Sequence, residues 1–165
     1  MSVELQTIPA PLVSTGASVL PEWIDHNGHM NVAFYVMAFD ESVGDILDFV
    51  GLTRAFKKRH NCGTFVGDFH IHYARELLQG APIRITNQII GYDRKRFHYC
   101  QQMFHAEENF LAAQSEAITL HIDMATRRVA PMHDEIYDKV AALAAAHAQL
   151  PAPSNAGRTI RVKRG

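Results

Sequence analysis

A chain of 165 residues, 47% of them apolar, can bury one good core, and domain-size statistics disfavour a second. A formal net charge of −1 argues against nucleic acid or an anionic membrane as the main partner, since both select basic surfaces. Two cysteines, Cys62 and Cys100, suggest neither a disulfide framework nor a metal-ligand spacing, so a cytoplasmic setting is expected, and no apolar run approaches membrane-spanning length.

Met1 to Pro11 is punctuated by proline and expected to lie loosely on the surface, and Met1 to Val13 lacks the basic start and continuous apolar core expected of a signal peptide. Val13 to Leu20 reads as a first strand. Asp25, His26, Asn27, Gly28, His29 and Asn31 then crowd into a turn, where Gly28 permits a positive φ and Asn31 is suited to cap a helix. That helix runs from about Val32 to Val50. Its first turns are apolar nearly all round, so it must be wrapped, while Asp40, Glu41, Asp45 and Asp48 mark its outer half and Gly51 is placed to stop it. Thr53 to Asn61 is polar and basic and reads as a solvated connection.

From Gly63 the period changes. Thr64 to Tyr73, Ile83 to Tyr92, Arg96 to His105 and Phe110 to Ile122 each show strand-like alternation with bulky β-formers, separated by short polar punctuation. Four such strands form an antiparallel meander. With the first strand added and one buried helix to cover, the economical arrangement is α+β, an antiparallel sheet wrapped around one long central helix. Pro131 to His147 supplies a C-terminal helix rich in alanine. Residues 1–150 therefore read as one domain, and 151–165 as a disordered basic tail.

The turn before the helix has chemical content. Free amides in a first helical turn polarise a carbonyl oxygen and stabilise the oxyanion formed on attack, while a neighbouring carboxylate attacks it or activates water. Asp25 supplies that carboxylate, and the backbone N–H of Val32 or Ala33 the dipole; Asn27, His29 and Asn31 orient Asp25 or the water. The same pattern fits a turn in which Asp25 and Asn31 only satisfy local amides. Asp68 is a second acidic candidate because its strand neighbours, Phe65-Val66-Gly67 and Phe69, are apolar; Glu116 is a weaker third. His70 and His72 share a strand face, but no third ligand is fixed nearby, and no metal is expected.

The segment Asp25-His26-Asn27-Gly28-His29-Met30-Asn31 with Tyr35 and a long apolar helix resembles the signature turn of hotdog-fold acyl-CoA thioesterases of the 4-hydroxybenzoyl-CoA type. Phe65 to Tyr73, Gln79-Gly80, Tyr92 to His98 and Glu116 to Asp123 follow in the order such enzymes show, over about residues 14 to 135. The Trp-Ile-Asp-x-Asn-Gly-His-Met-Asn form is most similar to the betainyl-CoA thioesterases of carnitine breakdown. The resemblance implies a hotdog fold, an acyl-CoA substrate, no cofactor beyond the coenzyme A of that substrate, and Asp25 as nucleophile or general base. Asp68 departs from it, since similar enzymes carry Glu there. Coenzyme A implies cations for its phosphates, for which Arg94, Lys95 and Arg96, or Arg127 and Arg128, are candidates. A trimethylammonium acyl group implies aromatic faces, for which Trp23, Tyr35, Phe65 and Phe69 are candidates. Hotdog relatives also imply a homo-oligomer, a dimer or a dimer of dimers, with sites between subunits. The rival readings are a hotdog dehydratase or hydratase using a histidine with a carboxylate, and a non-catalytic acyl-CoA binder.

Overall fold

The computed structural model describes residues 7–162. In chain order it contains β1 (Leu12–Ser18), a single 3-10 turn (Pro21–Trp23), α1 (Val32–Val50), α2 (Arg54–His60), β2 (Cys62–Tyr73), β3 (Pro82–Tyr92), β4 (Arg96–His105), β5 (Leu111–Asp123), the short β6 (Arg128–Val129) and α3 (Asp134–His147). One antiparallel sheet has the order β1-β3-β4-β5-β2, with β6 on the end of β5. This is the α+β hotdog arrangement expected from the sequence.

The helix α1 has the bounds its end chemistry dictates. Asn31 Oδ1 accepts from Ala33 N–H at 2.9 Å at the start, and Gly51, at φ 87°, turns the chain out of the helix at the end. Tyr35, Ala38, Phe39, Ser42, Val43, Ile46 and Val50 form its buried stripe against the sheet, and Phe39 and Ile46 are fully enclosed. Burying side chains of this size contributes roughly 1.5–3 kcal/mol each. Polar groups in this interface are satisfied: Gln101 Nε2 donates to Phe39 O at 2.9 Å and to Asn87 Oδ1 at 2.8 Å, and Ser115 donates to Gln101 Oε1 at 3.0 Å. These bonds also identify the sheet face that carries Gln101 and Ser115 as the one against α1. The opposite stripe is not wrapped in the protomer, for Val32, Val36 and Met37 are exposed.

Three expectations need correction. Only β3, β4 and β5 form a meander; β2 pairs with β5 at the opposite edge from β1, so the link from β2 to β3 must cross the mouth of the sheet. Thr53 to Asn61, expected as a solvated connection, is largely exposed but is helical, containing α2, capped by Thr53 Oγ1 accepting from Phe56 N–H at 3.2 Å and closed by Asn61 at φ 47°. Its one apolar anchor, Phe56, is buried, which is why polar composition alone misled. Finally, the segment after Pro151 is attached over its first half: Pro153 is buried, and Asn155 and Gly157 bond to the sheet. The expected surface course of Met1 to Pro11 lies partly outside the described residues.

Candidate active site

The turn before α1 is a miniature ladder. Asn31 N–H donates to Trp23 O at 2.8 Å, Ile24 and Met30 form an isolated antiparallel bridge, and Asp25 N–H donates to His29 O at 3.0 Å. Gly28, at φ 79°, closes the tip by donating to Asp25 O at 3.0 Å. Because side chains alternate across such a ladder, Ile24 and Met30 point one way, and Met30 is buried. Trp23, Asp25, His29 and Asn31 share the other face. Consistent with this, His29 Nδ1 lies 3.9 Å from Asp25 Oδ1.

Asp25 Oδ1 accepts from Asn27 N–H at 2.8 Å, and its side chain is only 14% exposed. His29 Nδ1 donates to Met30 O at 3.2 Å, and its Nε2 has no partner among the described residues. At the helix opening, Ala33 N–H is taken by Asn31 Oδ1 and Phe34 N–H by Asn31 O at 3.0 Å. Among the described residues, Val32 N–H has no acceptor. Of the two amides considered from sequence, Val32 is therefore the available one and Ala33 is consumed by the cap.

The link between β2 and β3 holds this turn in place. Met30 N–H donates to Leu77 O at 2.9 Å, and Leu77 N–H donates to the hydroxyl of the buried Tyr35 at 3.0 Å. Tyr73, at the end of β2, sets its ring edge-on to Tyr35, with centroids 5.2 Å apart, and its hydroxyl donates to Val32 O at 3.4 Å. Neither Leu77 nor Tyr73 was singled out from sequence, since only the crossing of the mouth brings them to the helix start.

The other candidates are dispersed. Trp23 is buried and stacked on Phe34 at 5.4 Å beside the turn, and Phe69 packs into the core. Phe65 is elsewhere. A bulge between Val66 and Asp68 shifts the register of β2, so that Phe65 pairs with Leu120 but Phe69 with Ala117, placing the two rings on opposite faces. Phe65 is exposed on the outer face beneath Arg127, 5.5 Å from ring centre to guanidinium carbon. Asp68 is also on the outer face, exposed, and lines a cavity with His70, His98 and Glu116. Arg94 is paired with Asp134 and lies over the Tyr137 ring, and Arg96 is paired with Asp93 at 2.7 Å, whereas Lys95 makes no ion pair among the described residues. The Cys100 thiol is buried, which pushes its pKa up to about 12, so it is no nucleophile near neutrality.

The family model for the thioesterase-like superfamily matches residues 19–140. The chain belongs to this superfamily. It is 34% identical over 142 residues to the betainyl-CoA thioesterase of Pseudomonas aeruginosa, covering 86% of this chain and 89% of that one. It is 29% identical over 154 residues to the L-carnitine dehydrogenase/betainyl-CoA thioesterase of Rhizobium meliloti, of which it spans 31%. Among solved structures, a Staphylococcus aureus protein in complex with CoA superposes with a TM-score of 0.88 at 26% identity, covering 94% of this chain and 98% of that one. The 1,4-dihydroxy-2-naphthoyl-CoA thioesterase of Synechocystis, at 15% identity and a TM-score of 0.70 over 87% of this chain and all of that one, shares the fold. The chain is thus an acyl-CoA thioester hydrolase of the hotdog type.

Proposed function

We propose that Asp25 and the Val32 N–H are the catalytic pair of this thioesterase. The observation that supports the reading is that Val32 N–H, at the opening of α1, has no acceptor among the described residues and directly follows the turn whose ladder face carries the Asp25 carboxylate. A thioester carbonyl set on Val32 N–H gains stabilisation as negative charge grows on its oxygen. Asp25 then either takes a proton from an attacking water or attacks the carbonyl itself, giving an acyl-aspartyl anhydride that water opens. In both routes the C–S bond breaks with its electron pair leaving on sulfur, and one water is consumed to give a carboxylate and free coenzyme A. His29, whose Nε2 has no partner among the described residues, is suited to order the water, and Asn27 and Asn31 hold the turn.

Among acyl groups, betainyl is supported by the identity to the Pseudomonas aeruginosa enzyme, and Trp23 is the aromatic candidate that shares the face with Asp25. The exposed apolar stripe of α1, with Phe65 and Val66 on the free edge of β2, supports a homodimer or a dimer of dimers in which a second copy covers these groups. Thiol release from a panel of betainyl, short-chain and aryl acyl-CoA esters tests the reading. Turnover with none of them, or hydration without thiol release, would favour the hydratase or binding alternatives. Gel filtration with light scattering tests the pairing, and a monomer at micromolar concentration would reject it.

A further inference from the structure

The outer face of the sheet carries a second concentration of ionisable groups, away from the helix opening. A cavity of about 330 Å³ there is walled by Asp68 and His70 of β2, His98 of β4, Glu116 of β5, and Gly157 and Arg158 of the carboxy-terminal segment. That segment is pinned in place: Asn155 Nδ2 donates to His72 Nδ1 at 3.2 Å, and Gly157 N–H donates to Glu116 Oε2 at 2.7 Å. The other oxygen of Glu116 accepts from His98 Nε2 at 2.7 Å, so this carboxylate is already occupied. A neighbouring cavity of about 270 Å³ is lined by Gly157, Arg158, Thr159 and Arg161. Among the described residues neither Arg158 nor Arg161 forms an ion pair, whereas Arg94 and Arg96 both do.

We propose that Arg158 and Arg161, at the two adjoining cavities, hold the phosphates of the coenzyme A portion of the substrate. This rests on the acyl-CoA reading. A guanidinium fork matches phosphate oxygens two at a time, and pinning the segment to Glu116 and His72 lowers the ordering cost of binding. Along the strand the cavity lies near the level of the helix opening: Asp68 and His70, on the outer face, are three to five residues, roughly 10–17 Å of strand, from Tyr73, whose hydroxyl bonds Val32 O.

The test is the Arg158→Ala/Arg161→Ala double variant of the full chain, compared with wild type on one acyl group carried by coenzyme A or by pantetheine. KM for the coenzyme A ester should rise about tenfold or more, with kcat nearly unchanged and both parameters for the pantetheine ester unaffected. An unchanged KM for the coenzyme A ester, or an equal rise for both esters, overturns the assignment. Calorimetric titration with coenzyme A itself reads the same site without turnover: the variant should lose about tenfold in affinity, and equal affinity rejects the proposal. A wild-type protein that binds coenzyme A through these arginines but releases no thiol rejects the hydrolase reading alone.

Discussion

Asp25→Asn separates the chemistry of the turn from its architecture. The substituted side chain keeps an oxygen that can accept from Asn27 N–H, now 2.8 Å from Asp25 Oδ1, and the main-chain bonds that tie residue 25 to His29 and Gly28 are untouched. The structural loss is confined to turning a charge-assisted hydrogen bond into a neutral one, about 1 kcal/mol. For a domain of this size that lowers Tm by about 2–4 °C. The catalytic loss is of another order, because the amide neither attacks a carbonyl nor accepts a proton at neutral pH. Removing a general base costs about 10²–10⁴ in rate, and the lower bound already equals about 2.7 kcal/mol of barrier. Steady-state release of coenzyme A, followed with a thiol-reactive chromophore, should show kcat reduced at least a hundredfold, while the thermal midpoint moves only slightly. A folded Asp25→Asn protein turning over at the wild-type rate would show that the carboxylate only builds the turn.

Asn31→Asp should retain the cap on α1, since both residues are good N-caps, yet place a negative charge beside the developing oxyanion; kcat should fall severalfold at an unchanged Tm, and equal turnover would move the oxyanion elsewhere. Tyr35→Phe removes the acceptor of the Leu77 N–H and should cost about 1–3 kcal/mol, seen as a lower urea midpoint; no loss would mean that another group satisfies that amide. Mild acid should destabilise the fold through His147, which is fully buried, accepts from Ile89 N–H at Nδ1 and donates to Pro9 O at Nε2. Burial holds its pKa below the ordinary imidazole value of 6.5, so its neutral form favours folding; that stability is complete above about pH 6.5 and is lost as pH falls below it. Burial holds His121 below its usual value in the same sense. Urea midpoints should fall between pH 7.5 and 5.5 (approximate working limits around the histidine range), and less steeply in His147→Gln; identical slopes would exclude His147 as the source.

How much of this was legible before folding depends on the range of the physics involved. The bounds of α1 follow from groups within a turn of its ends, namely the Asn31 side chain and the positive φ open to Gly51, and the sequence places both directly. The strand spans were legible too, since alternation is a local property, and Arg96–His105 was read to the residue. The hydrogen bonding of the turn also lay in the chain, because Asp25, Asn27, Gly28, His29 and Asn31 act on one another over a few positions. Which strands pair is a different matter. The placement of β2 beside β5, rather than beside β3, is decided by long-range registry and by the crossing at Leu77, and it determines which residues reach the helix opening.

Faces show the same division. Alternation groups Phe65 with Phe69 by parity, but the bulge at Gly67 reverses parity between them, and only the registry with β5 reveals it. Likewise the sequence offers Val32 and Ala33 alike as free amides; folding engages Ala33 N–H with Asn31 Oδ1 and leaves Val32 N–H without an acceptor among the described residues. Local chemistry therefore determined the elements and the composition of the candidate site. Tertiary structure decided which hydrogen-bonding groups remained free, because a donor is available to substrate only when folding has given it no other acceptor.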